Sequence, residues 1–213
     1  MPDRAANTLR YYETNARTFF DDTVAVDMSE LQARFLRWIP PGGQILDAGC
    51  GSGRDARAFR ERGYRVTAFD ASPELARLAA EHGGIQVRTL RFDEVDWRNA
   101  FDGIWACASL LHVPAADLPG ILRRLAAALK PGGALYASFK YGRGEREHGG
   151  RQFTDLDEPG LEALRRLVPR LTICDLWVTG DRRPGREAEP WLNAVMRTAP
   201  AEAVAPASTA AEE

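Results

Sequence analysis

Hydrophobic and polar positions fall into three regimes along the chain. Residues 1–40 show helical spacing, with bulky side chains at Leu9, Tyr12, Phe19 and Phe20 and again at Leu31, Phe35 and Trp38. Residues 41–197 alternate short apolar runs with helical patterns. Residues 198–213, TAPAEAVAPASTAAEE, hold nothing bulky to bury and read as a disordered tail.

The middle regime predicts a strand over 44–48, a helix over 55–62 stopped by Gly63, and a strand over 64–69. Ser72 is placed to N-cap a helix with Pro73 at its first position and Leu75, Leu78 and Ala79 on one side. Strands follow over 85–92 and 101–108, the second mostly apolar and therefore expected at the sheet centre. Leu118, Ile121, Leu122, Leu125 and Leu129 form one apolar helix face, which Pro131-Gly132-Gly133 closes. A strand over 134–139, a helix through Leu161, Leu164, Leu167 and Val168, and two strands over 171–178 and 192–196 complete the series. This alternation predicts an α/β fold, a Rossmann-like doubly wound and mainly parallel sheet with helices on both faces. No helix separates the last two strands, so they should pair antiparallel, and their link GDRRPGREAEPW is long for a hairpin turn. Ligands in such sheets bind at the carboxyl ends of the strands, near the point where the strand order reverses.

Composition sharpens this picture by exclusion. The chain has 213 residues, enough for one domain with a substantial core: a helical lid over 1–40, a binding domain over 41–197, and the tail. A formal net charge of -2 supplies no field for nucleic acid or anionic lipid, so neither is an expected partner. Arginine is abundant, while Lys130 and Lys140 are the only lysines. Cys50, Cys107 and Cys174 lie far apart with no CxxC or Cys/His cluster, so no metal site or disulfide is expected; Cys107 and Cys174 sit in apolar runs and read as buried thiols. A polar N-terminus and the lack of an 18-residue apolar run lead to the expectation of a cytoplasmic protein, monomeric or homodimeric.

The first strand runs into Asp47-Ala48-Gly49-Cys50-Gly51-Ser52-Gly53-Arg54. Glycines at 49, 51 and 53 allow a tight turn and close approach of a ligand. Nineteen residues after Gly51 the second strand ends at Asp70, a position suited to accept hydrogen bonds from two ribose hydroxyls. A dinucleotide fingerprint would require a third glycine at 54, where Arg54 stands. The Asp47 carboxylate would repel a pyrophosphate and attract a sulfonium or ammonium. The loop therefore suits a cationic nucleoside.

These residues resemble those of class I S-adenosylmethionine-dependent methyltransferases. ILDAGCGSGRDA resembles their first motif, VTAFDASPELARLAA their second, FDGIWACASLLHV their fourth-strand motif, and LKPGGALYASF their turn and fifth strand. The four stand in order over about residues 44–140. YYETNARTFF is similar to the tyrosine-bearing lid helix of small methyltransferases of the ubiquinone-biosynthesis and tellurite-resistance groups. The resemblance implies a seven-stranded sheet with a reversed last strand, and S-adenosylmethionine as cofactor. It implies cofactor contacts from Asp47, Ala48, Gly49, Gly51 and Gly53, from Asp70, Ala71 and Ser72, from Ala106 and Cys107, and from Tyr12 and Asn15 of the lid. The acidic residue usual at the end of strand three is missing; its place falls at Arg91 or Phe92, so either Phe92 packs on the adenine or Asp93 takes the polar role. His112, Lys140 and Tyr141 are the candidate catalytic residues, on the acceptor side.

The expected acceptor is a small molecule. The Asn/Asp/Ser-Pro-Pro-aromatic motif of amino-methylating DNA enzymes is replaced by Ala106-Cys107-Ala108-Ser109, and no Pro-Cys pair for cytosine chemistry occurs. A protein acceptor, a nicotinamide-dependent oxidoreductase and a non-catalytic nucleoside-binding module are the alternatives; Arg54 counts against the oxidoreductase. The segment YGRGEREHGGRQF, with Arg143, Arg146 and Arg151, reads as a mobile solvated loop or as a gate for an anionic acceptor.

Overall fold

The structure, a computed structural model, describes residues 4–200. Its strands in chain order are β1 (Gln44–Ala48), β2 (Arg65–Asp70), β3 (Val87–Thr89), β4 (Phe101–Ala106), β5 (Leu129–Lys140), β6 (Gly144–His148), β7 (Arg151–Asp155), β8 (Leu171–Gly180) and β9 (Pro190–Thr198). Its helices are α1 (Arg4–Thr14), α2 (Ala16–Thr23), α3 (Ser29–Leu36), α4 (Arg54–Glu61), α5 (Pro73–Gly83), α6 (Leu118–Ala128) and α7 (Glu158–Arg166). Seven strands form one sheet in the order β3-β2-β1-β4-β5-β9-β8. The pairs among β1 to β5 are parallel, and β9 runs antiparallel to both β5 and β8. The reversed strand is thus the last one, inserted between its neighbours. The chain moves outward from β1 to β3 and returns to β4, so the order reverses between β1 and β4 and a crevice opens at their carboxyl ends.

Alternate residues of the central strands feed two cores. Ile45, Trp105, Tyr136 and Val195 pack with Phe35 of α3 and Phe59 of α4. Leu46, Ile104, Leu135, Ala137 and Met196 pack with Leu122 and Leu125 of α6 and Leu161 of α7. Period-two alternation with both faces buried is why these strands are apolar nearly throughout. Helix α5 starts as its sequence requires: the Ser72 hydroxyl accepts the Leu75 amide at 3.1 Å, and Pro73 occupies the first turn. Such a cap contributes about 1 kcal/mol.

Several expected boundaries move. Strand three covers only Val87–Thr89, because it is an edge strand paired to β2 alone, and Phe92–Glu94 form a single 3-10 turn closed by the Glu94 carboxylate on the Arg91 amide. Strand β5 begins at Leu129 and runs through Pro131-Gly132-Gly133 with a register shift against β4; the turn expected there is a bulge within the strand. Cys174 is exposed, since it lies on the edge strand β8, whereas Cys50 is buried. Thr198 ends β9 and the Ala199 carbonyl accepts the Gly132 amide at 2.8 Å, so the expected tail begins as ordered chain; from 201 onward it lies outside the described residues.

The segment YGRGEREHGGRQF, expected as a loop or gate, is ordered strand. It is the hairpin β6–β7, turned at Gly149-Gly150 with φ of +57° and +74°, a backbone that glycine pairs supply in two-residue hairpins. β6 is exposed along its length, while Gln152 to Asp155 of β7 are buried. The Gln152 amide donates to the Thr8 hydroxyl at 2.9 Å, which docks the hairpin on α1. No described helix is long and apolar enough to cross a membrane.

Candidate active site

The loop between β1 and α4 is built around backbone that only glycine adopts cheaply. Gly49, Gly51 and Gly53 have φ of +75°, +54° and +73°. A Cβ on Gly49 would lie 2.6 Å from the Ser109 Cβ, and one on Gly53 would lie 2.8 Å from the Ala79 carbonyl of α5. Asp70 ties this loop to β2: its carboxylate accepts the Gly51 amide and the Ser72 amide, each at 2.9 Å. Burial pushes the Asp70 pKa up while those amides pull it down. A carboxylate has about four lone-pair sites, so these amides leave part of its acceptor capacity unused.

Asp47 and Asp55 are neighbours with opposite fates. Asp55 accepts from Gln32 Nε2 at 2.6 Å, from Trp105 Nε1 at 3.0 Å and from the Arg54 guanidinium at 2.7 Å. Burial alone would raise its pKa, but the Arg54 charge and these donors outweigh that and lower it. Asp47 is 2% exposed, and its Oδ2 is buried without a hydrogen-bond partner. Burial first, and the charge of Asp55 second, push the Asp47 pKa well above the usual carboxylate range. An unpaired buried carboxylate is costly unless a cation joins it.

Two cavities meet at this loop. One of about 540 Å³ lies over Asp47 and the ends of β4, β5 and β9; the other, of about 470 Å³, lies over Asp70. Tyr12, Phe19, Gly49, Gly51, Ala108 and His112 line both and form the passage between them. Ala71, Ser72, Phe92 and Asp93 join Asp70 in the smaller cavity, and Cys107 and Lys140 join Asp47 in the larger. Phe92 stands edge-on to Phe69, and the Asp93 carboxylate accepts from Arg91 Nε at 3.0 Å. The Cys107 thiol is pushed up to about 12 by burial, so it is no nucleophile near neutral pH.

At the passage, the Tyr12 hydroxyl lies 2.7 Å from His112 Nε2, and His112 Nδ1 lies 2.7 Å from the Gln152 carbonyl. A carbonyl only accepts, so Nδ1 carries the ring proton and Nε2 accepts from Tyr12. Burial lowers the His112 pKa to about 4, and the ring is neutral at physiological pH.

Five expected site residues lie outside both cavity walls. Asn15 breaks the chain between α1 and α2, and its Nδ2 donates to the Tyr11 carbonyl at 2.8 Å. Ala48 and Ala106 are fully buried in strands, with their side chains in the core. Gly53 serves the packing of the loop on α5. Tyr141 is 40% exposed past the sheet, with its hydroxyl donating to Glu158 at 2.9 Å. Lys140 does line the larger cavity, but it is paired with Asp181 and Glu189 and sits 4.3 Å from the Trp191 ring centroid, which makes it a tie between β5 and the β8–β9 link. That link, including Asp181, Arg183 and Arg186, forms much of the outer wall of the larger cavity. Its excess length and arginine content were the only local signs of that role.

A family model described as a methyltransferase domain matches residues 20–177. The ubiquinone biosynthesis O-methyltransferase of Xanthomonas axonopodis pv. citri is 37% identical over 121 residues, which are 54% of this chain and 50% of that protein. The chain thus spans about half the length of the curated relatives it matches. Among solved structures, the Burkholderia thailandensis 1,6-didemethyltoxoflavin-N1-methyltransferase, with bound 1,6-didemethyltoxoflavin and S-adenosylhomocysteine, superposes with a TM-score of 0.73 at 26% identity over 92% of this chain and 87% of its own. The magnesium protoporphyrin IX methyltransferase of Synechocystis PCC 6803 shares the fold, with a TM-score of 0.72 at 14% identity over 92% of this chain and all of its own.

Proposed function

This chain belongs to the methyltransferase-domain family, and on that premise we propose that it transfers a methyl group from S-adenosylmethionine to a small-molecule acceptor held in the larger cavity. The observation that carries the reading is the unpartnered Oδ2 of buried Asp47 in that cavity's wall. A cationic ligand satisfies it, and a dinucleotide diphosphate would be repelled by it. The nearest cation of the loop, Arg54, is already taken by Asp55.

S-adenosylmethionine supplies a methyl carbon on a sulfonium whose departure leaves a neutral thioether. Asp70 would receive the ribose hydroxyls, Phe92 would face the adenine, and Asp47 would take the ammonium. The protein's own work is then positioning and exclusion of water, which can supply roughly 7–11 kcal/mol. Helix α1 acts as the lid, through Tyr12 on His112, while α3 of the expected lid segment packs into the core. With a pKa near 4, His112 Nε2 is too weak a base to take a proton from most acceptors, which favours positioning over general-base work. A cavity of about 540 Å³ suits a small acceptor.

Calorimetric titration with S-adenosylmethionine, and separately with a nicotinamide dinucleotide, tests the cofactor. Methyl-labelled S-adenosylmethionine incubated with a metabolite extract tests transfer and identifies the product. Binding of the dinucleotide alone would overturn the reading, and cofactor binding without any labelled product would reduce it to a passive nucleoside binder.

A further inference from the structure

The outer wall of the larger cavity is cationic. Lys140, Arg146, Arg151, Arg182, Arg183 and Arg186 line it, against Asp181 and Glu189. Five of these cations are matched: Lys140 and Arg183 with Asp181, Arg186 with Glu189, Arg146 with Asp155 and Arg182 with Glu30. Arg151 pairs with no carboxylate among the described residues.

We propose that Arg151 is the carboxylate-binding residue of this cavity, an inference that rests on the nucleoside-binding reading above and extends it. Arg151 Nε is buried and has no hydrogen-bond partner. The guanidinium is held by aromatic faces, 4.4 Å from the Tyr11 ring centroid and 5.3 Å from that of Phe153. Aromatic faces fix its plane and leave the unpartnered Nε edge for a planar partner. It lines the larger cavity beside the passage, 6.0 Å from the Tyr12 ring centroid. A buried donor left unpaired beside an unmatched positive charge is unfavourable, and one monoanionic carboxylate relieves both, with two parallel N–H···O bonds. The hairpin turn at Gly149-Gly150 immediately precedes Arg151, so the strap that closes the cavity also delivers the receptor.

The carboxylate has two possible carriers, the acceptor and the amino-acid end of the cofactor, and the two are separable. Arg151→Gln is compared with the wild type and with Arg151→Lys, after thermal melting shows each variant folded. Affinities for S-adenosylhomocysteine and for 5′-methylthioadenosine, which lacks the amino-acid end, are measured by calorimetry. Binding of benzoate against benzamide is measured with and without S-adenosylhomocysteine. A loss of roughly tenfold or more for S-adenosylhomocysteine with none for 5′-methylthioadenosine assigns the cofactor as carrier. Unchanged nucleoside affinity, with a benzoate preference of roughly tenfold that disappears in Arg151→Gln and partly returns in Arg151→Lys, assigns the acceptor. If neither quantity differs between wild type and Arg151→Gln, the proposal is overturned. Failure of both nucleosides to bind the wild type sinks the nucleoside reading instead, and the benzoate comparison without S-adenosylhomocysteine still decides the role of Arg151.

Discussion

The Tyr12 hydroxyl donates to His112 Nε2 at 2.7 Å, across a sequence separation of one hundred residues. Since His112 Nδ1 donates to the Gln152 carbonyl, one imidazole joins helix α1, the turn after β4 and strand β7. Tyr12 and His112 both line the two cavities, so this join forms part of the wall of the passage between them.

Replacing Tyr12 by Phe keeps the ring and removes the donor, leaving a covered imidazole nitrogen unsatisfied. A loss of about 1–2 kcal/mol is expected, read as roughly fivefold to thirtyfold faster release of S-adenosylhomocysteine in stopped-flow experiments. An unchanged release rate would show that the contact does not gate the passage.

The depressed pKa of His112 sets a pH dependence of stability. The folded value of about 4 lies below the ordinary 6.5, so the unfolded chain binds more protons between them. Stability conferred by the neutral ring is complete above pH 6.5 and is lost as pH falls toward about 4. Urea unfolding should show a decrease of at most about 3 kcal/mol over that window from this group, and His112→Gln should show a correspondingly flatter profile.

Asp47 predicts a trade of stability against binding. Its folded pKa lies above the unfolded one, so the ligand-free protein is more stable with this group protonated and loses that stability as pH rises through the folded value. Asp47→Asn removes the charge and should raise the melting temperature of the ligand-free protein at about pH 8 by roughly 2–8 °C, for about 1–2 kcal/mol. The same variant should bind S-adenosylmethionine at least about tenfold more weakly. Weaker binding without the gain in melting temperature would place the Asp47 charge in a compensated environment.

Gly49 tests the loop itself. Alanine there combines a φ of +75° with a Cβ 2.6 Å from the Ser109 Cβ. Gly49→Ala should lower stability by about 1–3 kcal/mol in thermal denaturation and abolish nucleoside binding, because Ser109 also holds the Ala48 carbonyl at 2.7 Å and must shift. Wild-type affinity in this variant would mean that the loop relaxes freely.

Much of this molecule is local. The apolar runs specified β1, β2, β4 and both cores because each strand's burial is encoded residue by residue, and Gly49, Gly51 and Asp70 announced a ligand loop because turn geometry depends on immediate neighbours. The hairpin is not legible in the sequence for a physical reason: all of β6 faces solvent, so its charged residues carry no alternating pattern, and a Gly149-Gly150 pair suits a solvated loop as well as a tight turn. Which side chains are left over was equally hidden. Arg143, Arg146 and Arg151 are equivalent as residue types, and only the packed chain gives Arg143 to Asp157, Arg146 to Asp155, and leaves Arg151 among aromatic rings. Lys140 fits the pattern of a functional group until Asp181 and Glu189 occupy it, whereas Asn15 spends its amide locally, on the Tyr11 carbonyl one helical turn back. The sequence by itself determined the strands and the ligand-binding turn, since these follow from near-neighbour chemistry; the tertiary structure alone decided which charges remain unmatched, since whether a charge meets a carboxylate, near or distant in the chain, depends on how the segments pack.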